Sequence, residues 1–303
     1  MPEIINRMTE KALALNYFQS KDCTINLTRI NYRLQQSHEY DLTEREHYHD
    51  FLELVFILSG QAVHVLEGNE YTVSAGDVFV LQGYQRHFFK EADSVELVNL
   101  MFDAIDDPNI ITHKLRQLEG FKALFVLEPH YRATYRYRNM LQLTRDELAI
   151  IEIILNTMFA EQEQSKEGYE IILVNRFVEL IILLSRYYSH IKTNRAKALL
   201  RISKVINYME NHYAENINVD ILSERAYMSK RNFMRTFRGA AGLSPINYLK
   251  QIRLQKARKL LTETNLMIEE IAAQCGFSDS NYFIKCFRRA YKITPNKFRT
   301  GFR

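Results

Sequence analysis

The stretch Phe233-Met-Arg-Thr-Phe-Arg238 returns fifty residues later as Phe283-Ile-Lys-Cys-Phe-Arg288. Ser244, Pro245 and Tyr248 follow the first copy, and Thr294, Pro295 and Phe298 follow the second. Upstream, Leu222, Met228 and Ser229 correspond to Ile271, Phe277 and Ser278 with a slip of one residue. Each copy reads as a short helix, a tight turn and a basic helix. That is the helix-turn-helix pattern, whose second helix lies in the DNA major groove. A tandem pair addresses two successive groove faces of one double-stranded site.

In the first copy Val219 to Arg225 reads as the supporting helix, Ala226-Tyr227-Met228 as the turn and Ser229 as the N-cap. Helical spacing buries Phe233 and Phe237, so Lys230, Arg231, Met234, Arg235 and Arg238 face outward. Arginine grips guanine with two hydrogen bonds, which makes Arg231 and Arg235 the expected base readers. Lys230 and Arg238, nearer the edges, are expected on phosphates. Gly242 is the expected helix stop. Ser244-Pro245 opens a long helix to Leu261 that joins the copies and favours sites spaced near one DNA turn, roughly 34 Å.

In the second copy Ile268 to Gln274 supports and Cys275-Gly276-Phe277 turns. Ser280, Asn281, Ile284, Lys285 and Arg288 lie off the face of Phe283 and Phe287. Asn281 suits adenine and Lys285 a guanine or a phosphate, so this surface offers less two-bond chemistry than the first.

The run from Val219 through Arg299 resembles the DNA-binding domain of the AraC/XylS transcription regulators, over about a third of the chain. The segment Ile271 to Arg289, with Thr294-Pro295 and Phe298-Arg299, is similar to that family's signature region nearly throughout. The resemblance implies base contacts at Arg231, Met234, Arg235, Ser280, Asn281, Ile284 and Lys285. Lys285 stands where some members carry Arg.

The chain has 303 residues, 47% hydrophobic and 25% charged, room for two domains with cores. The net charge of +4 hides an asymmetry: from Asn194 onward there are 21 Lys and Arg against 8 Asp and Glu. A basic C-terminal half on an acidic N-terminal one suits phosphate contact at one end. No basic-apolar-small signal precedes residue 30, and Ile171 to Leu184 is interrupted by Asn175, Arg176 and Glu179, so neither export nor a membrane span is expected. Cys23, Cys275 and Cys286 lack metal or redox spacing, as suits a reducing cytoplasm.

Residues 24 to 102 read as short strands: Leu52 to Leu58, Ala62 to Leu66, Tyr71 to Val73 and Val78 to Leu81, with turns at Gly68-Asn69 and Ser74 to Asp77. A small antiparallel barrel is expected. From Thr144 the period becomes helical. Thr144 and Glu147 form a capping box ahead of Leu148, Ile151, Leu155, Met158 and Phe159. A second helix carries Ile171, Val174, Val178, Ile181 and Leu184, an apolar arc wide enough for a dimer seam. Ser189 to Lys197 is the expected linker. The fold class is therefore α+β: a barrel with a helical hairpin over residues 1–193, and an all-α domain over residues 194–303.

His47-Tyr-His49-Asp-Phe-Leu-Glu53, six residues, then Gly60 resembles the first cupin motif, and Gly76-Asp77 followed by His87 resembles the second. Gln82, Tyr84 and Glu91 depart from it. In cupin enzymes the positions of His47, His49, Glu53 and His87 hold a metal, and such a donor set suits Fe, Mn, Ni or Zn. Sugar-responsive AraC-type regulators share the pattern without metal, and the order of pieces is especially similar to the rhamnose-operon regulators. The leading reading is an activator that is no enzyme and needs no cofactor. It binds a small polar, sugar-like effector among Arg29, His47, His49, Glu53, Tyr84 and His87, and works as a homodimer with RNA polymerase. The alternative is a cupin metalloenzyme or metal sensor with a DNA-binding tail.

Overall fold

The computed structural model describes residues 10–12, 25–31, 45–92, 94–102, 109–135 and 141–301. Cys23 and the expected barrel start at residue 24 lie outside them. The chain divides into two compact units, Met1–Lys197 and Ala198–Arg303.

In the first unit the strands are β1 (Glu10–Ala12), β2 (Ile25–Asn31), β3 (His47–His49), β4 (Leu52–Ser59), β5 (Gln61–Leu66), β6 (Asn69–Ser74), β7 (Asp77–Leu81), β8 (His87–Lys90), β9 (Glu96–Phe102) and β10 (Leu141–Gln142). They form two five-stranded sheets, ordered β1-β3-β8-β5-β6 and β10-β7-β4-β9-β2. Pairing is antiparallel except between β1 and β3. Strands β1 and β10 extend the sheets beyond the expected range; at three and two residues they are too short to carry an alternating pattern.

Strand β4 is an unbroken apolar run because it is central, between β7 and β9, and buried on both faces. Val55 and Ile57 face the inter-sheet core with Ile30, Phe79, Leu81 and Leu97 of their own sheet and Ala62, Leu66, Tyr71, Val73 and Phe89 of the other. On the opposite face, Phe102 of β9 meets Phe177 at 4.9 Å between ring centres. The β5–β6 loop is Glu67-Gly68, not Gly68-Asn69: Leu66 pairs with Asn69, and Glu67 and Gly68 have φ of 47° and 72°. A type I′ turn needs positive φ at both central residues, and this places Asn69 in the strand. At Gly60 the chain passes so close to Ser94 that a Cβ would lie 2.1 Å from its carbonyl oxygen.

Between β9 and β10 lie α1 (His113–Arg116), α2 (Glu119–Phe121), a π-helical stretch Lys122–Leu127 and α3 (Glu128–Tyr135), for which the sequence offers no clean period. Two longer helices follow, α4 (Arg145–Gln164) and α5 (Tyr169–Ser189). The Thr144–Glu147 capping box forms as expected. Ile151, Ile154, Leu155 and Met158 of α4 are buried, as are Leu173, Phe177, Leu180, Ile181 and Leu184 of α5. The expected α5 stripe was rotated: Ile171 is 68% exposed, and Val174 and Val178 are half-buried.

The linker is shorter than expected, because Thr193 caps a new helix, α6 (Asn194–Asn211). The second unit continues with α7 (Val219–Arg225), α8 (Lys230–Ala241), α9 (Pro245–Glu263), α10 (Ile268–Gln274), α11 (Ser280–Tyr291) and α12 (Pro295–Gly301). Asn218, Ser229 and Ser244 cap α7, α8 and α9 with their side chains. Asp279, not Ser278, caps α11 and is the counterpart of Ser229. The second turn holds five residues where the first holds four, so the one-residue slip ends inside it. Gly242 stops α8 in the left-handed region, as expected.

Candidate functional site

Helix α8 owes its two faces to its sequence. Phe233, Thr236 and Phe237 are buried, and the rings of Phe233 and Phe237 meet edge to face at 5.5 Å. Lys230, Arg231, Met234, Arg235 and Arg238 are exposed together on the other side. Lys230 Nζ lies 2.8 Å from Asp220 Oδ1 of α7, and Arg235 Nη2 donates to Asn232 Oδ1 at 3.0 Å. Both contacts are exposed and weak enough to exchange for a phosphate or a base edge.

Helix α11 repeats the plan with Phe283 and Phe287 buried. Asn281, Lys285 and Arg288 are exposed, while Ser280 and Ile284 are half-buried and Ile284 packs on the core. A surface groove gathers Asn281, Ile284, Lys285 and Arg288 with Arg289 and Thr294, two residues of the signature region without an expected DNA contact. Helix α9, with 19 residues, is about 28 Å long and joins the two reading helices.

Other basic side chains are engaged in the fold. Arg253 of α9 donates from Nε to Tyr213 O and from Nη2 to Glu215 O, at 2.7 and 2.8 Å. Arg299 donates to Leu266 O at 2.6 Å, and the Arg225 guanidinium lies 3.5 Å above the Tyr208 ring centre. Cys275 and Cys286 are free thiols; burial pushes Cys275 up to about 11, which suits an inert apolar residue.

In the first unit, strand alternation puts His47 and His49 on one face of β3, and His47 pairs across to His87 of β8. Glu53 enters from β4 of the opposite sheet. Its Oε2 lies 2.9 Å from His49 Nε2 and 3.5 Å from His87 Nε2. The His47 and His87 rings are 4.4 Å apart, and His64 of β5 lies 5.7 Å from His87. All five side chains are buried. His49 Nδ1 faces Phe51 O at 2.7 Å, His87 Nδ1 faces Gln85 O at 3.1 Å, and His47 Nδ1 faces Arg45 O at 3.2 Å. A carbonyl only accepts, and His49 and His87 also turn Nε2 toward the carboxylate, so both nitrogens of these two rings face acceptors.

Burial pushes the Glu53 carboxyl up, but hydrogen bonds and charge from His49 and His87 prevail and hold it well below the usual carboxylate range. Burial, then the neighbouring His87, lowers His47 to about 3. Burial, with His87 and Arg132, holds His64 well below its ordinary value.

Two residues expected in the effector set are not brought to this cluster. Ile30 points into the barrel core, so Arg29 faces out. Its Nη2 donates to Asn156 Oδ1 of α4 at 2.6 Å, and its guanidinium lies 5.1 Å from the Phe159 ring centre. Tyr84 is 67% exposed in the turn before β8, with φ of 68°. His64 was not anticipated; its only signal is a polar residue at an inward position of an alternating strand. Glu128 and Arg132 of α3, an i,i+4 pair with no exposure, were not anticipated either.

Residues 222–301 match the family described as "Helix-turn-helix domain", and residues 32–135 match "AraC-like ligand binding domain". The HTH-type transcriptional activator RhaS of Escherichia coli O6:H1 (strain CFT073) is 30% identical over 262 residues, covering 84% of this chain and 87% of that protein. The chain belongs to the AraC family of transcription regulators. RhaS of Escherichia coli strain SE11 is also 30% identical, over 259 residues and the same shares of both chains. Among solved structures, the DNA-binding domain of AdpA in complex with a target DNA is 32% identical, covering 34% of this chain and 93% of its own, with a TM-score of 0.33. The C-terminal domain of the response regulator yesN from Fusobacterium nucleatum is 38% identical, covering 31% and 93%, with a TM-score of 0.31. This AraC-family chain thus joins a ligand-binding domain to a helix-turn-helix domain. No helix among its described residues is long and apolar enough to cross a membrane.

Proposed function

We propose that this AraC-family regulator is a cytoplasmic homodimer that activates transcription together with RNA polymerase, under control of a small polar, sugar-like effector held in its barrel. The observation that carries the reading is the pairing, in one chain, of two recognition helices with exposed basic faces and a barrel with buried histidines converging on Glu53. Residues 1–193 bind effector and partner subunit; residues 194–303 bind double-stranded DNA. Arg231 and Arg235 read bases, Lys230 and Arg238 take phosphates, and Met234 packs in the groove. Ser280, Asn281, Ile284, Lys285 and Arg288 position the second helix. Ile150 and Ile153 of α4 and Ile171 and Ile172 of α5 are exposed apolar residues that a second subunit would cover. An effector that prefers one arrangement of the dimer shifts the population presented to DNA. The resemblance to activators supports a regulator rather than an enzyme.

A gel shift with the DNA upstream of the chain's own coding region tests this. Sequence-specific binding is expected, and is lost when Arg231 and Arg235 are both changed to Ala. Unchanged specific binding would sink the base-contact assignment.

A second reading, a metal-responsive regulator, is favoured by the geometry around Glu53. One ligand atom from each of His49, Glu53 and His87 lies within 4.8 Å of the others. Backbone carbonyls facing Nδ1 in this way orient imidazoles for metal binding. The three residues fit a first-row divalent ion, whose charge would compensate the buried carboxylate; His47 stands outside the converging set. Metal analysis of protein purified without chelator decides. Stoichiometric metal that disappears in His87→Ala supports this reading, and a metal-free protein that still answers an effector ends it.

A further inference from the structure

Helix α9 sets the distance between the two reading helices. A single helix does not by itself stop the unit at its far end from rolling about the axis; a second contact must. Among the described residues, the core around Phe283 and Phe287 draws on α9 to α12 and the segments between them, and includes none from α6, α7 or α8. The second contact is the loop that follows α6. Arg253, midway along α9, donates from Nε to Tyr213 O at 2.7 Å and from Nη2 to Glu215 O at 2.8 Å. Its guanidinium also lies 6.0 Å from the ring centre of Phe277, which meets Phe283 of α11 at 5.1 Å.

The same loop is seated on the turn of the second unit. A Cβ added to Gly276 would lie 2.8 Å from Cα and O of Ala214 and 2.9 Å from Tyr213 O. The Tyr213 carbonyl thus lies against both the Arg253 guanidinium and the backbone that leads into α11. The loop is tied equally to the first unit. The Glu215 carboxylate faces His212 Nδ1 at 2.7 Å, Ile217 N donates to Glu215 O at 3.0 Å, and Asn218 then caps α7. A guanidinium holds two carbonyls in one rigid fork, which no uncharged side chain of its length reproduces.

We propose that Arg253 is a positioning residue for DNA recognition. By locking the 213–215 loop against the Gly276 turn it fixes the angle between α8 and α11, and with it the spacing of the two DNA elements that one chain accepts. This rests on the reading that both helices meet bases in the major groove. One added base pair moves the second element by about 3.4 Å and turns it by about 35°. A locked pair of helices does not follow that change; a loosened pair does.

The test begins with selection of duplexes from a random pool by the full native chain. Gel-shift titration then compares the selected site with the same site carrying one base pair more, or one fewer, between its two elements. The variants are Arg253→Met and Arg253→Gln, each of which ends the grip on two carbonyls, with circular dichroism to verify folding. The native chain is expected to lose at least about tenfold in affinity on either change of spacing, and the variants less than about threefold. A merely structural role would weaken binding to all three duplexes by one factor and leave their ratios native, which overturns the proposal. A native chain indifferent to spacing overturns it too, as does failure of both variants to fold; if only one folds, its ratio decides. The parent reading is judged separately: it fails if the native chain selects no sequence or a single element. Two selected elements with native ratios in the variants would remove the role of Arg253 and leave both reading helices standing.

Discussion

Tyr227 and Gly276 occupy the same place in the two helix-turn-helix units, two residues past the supporting helix, and both have positive φ, 52° and 79°. Only the second is walled in. A Cβ on Gly276 would sit 2.8 Å from both Cα and O of Ala214, whereas Tyr227 is 81% exposed. Gly276→Ala is therefore expected to destabilise by at least about 2 kcal/mol, from backbone strain and the forced shift together. Tyr227→Asn is expected to stay within about 1 kcal/mol of the parent, since Asn tolerates the left-handed region. Thermal and urea denaturation measure both; equal losses would refute the asymmetry.

Arg231→Ala or Arg235→Ala should cost about 1–3 kcal/mol of DNA affinity and relax preference at one base position. Arg238→Ala should weaken binding to all sequences alike and reduce the salt slope by about 0.9. Competition gel shifts over a range of salt separate the two behaviours. A uniform loss for Arg231→Ala would move it to the phosphate class.

Burial pushes the Glu128 carboxyl up from 4.5 to about 7, outweighing the Arg132 beside it. A carboxyl raised on folding binds its proton more tightly in the native state. Its contribution is complete below pH 4.5 and is lost as pH rises through 7. Native stability minus that of Glu128→Gln should fall over that window by up to roughly 3 kcal/mol, then level off. Urea unfolding at pH 5, 6, 7 and 8 checks the slope, and a flat difference would show Glu128 ionised throughout.

His47 and His64 work in the opposite sense. Both rings are held below their ordinary value, mainly by burial, so protonating them favours the unfolded chain. Stability they support is present above pH 6.5 and is lost as pH falls toward 3. His64→Phe should lessen acid sensitivity between pH 6 and 4 as followed by circular dichroism; an unchanged acid midpoint would contradict this.

Ile153 is 67% exposed and Ile171 68%, so replacing either with Asp should change monomer stability by no more than about 0.5 kcal/mol. The native chain is expected to sediment as a dimer and the double variant Ile153→Asp with Ile171→Asp as a monomer. A dimer that survives both changes would place the seam elsewhere.

Much of this was readable from residue spacing, and the limits have physical causes. Phe233, Phe237, Phe283 and Phe287 declare two amphipathic helices because a buried face repeats every three or four residues. Ser278 matches Ser229 in the repeat, yet Asp279 caps α11, because the second turn is one residue longer and the backbone path chooses the cap. Arg29 was placed inside the barrel when the facing of its strand had no anchor. The inward Ile30 beside it settles that only in three dimensions. Glu128 and Arg132 were invisible for the opposite reason: an i,i+4 charged pair reads as a solvated surface, and here it is enclosed.

Arg225, Arg253 and Arg299 have a consequence for how the DNA-binding unit searches for its site. Their guanidinium groups lie on a ring and on main-chain carbonyls, holding helices together rather than facing a polyanion. Lys230, Arg231, Arg235 and Arg238 of α8 and Lys285, Arg288 and Arg289 of α11 are exposed on the reading helices themselves. The number of ions released on DNA binding should therefore track those two helices rather than the 21 basic residues of the C-terminal region. Such a molecule keeps a light hold on random DNA and gains most of its grip only where both helices find their grooves.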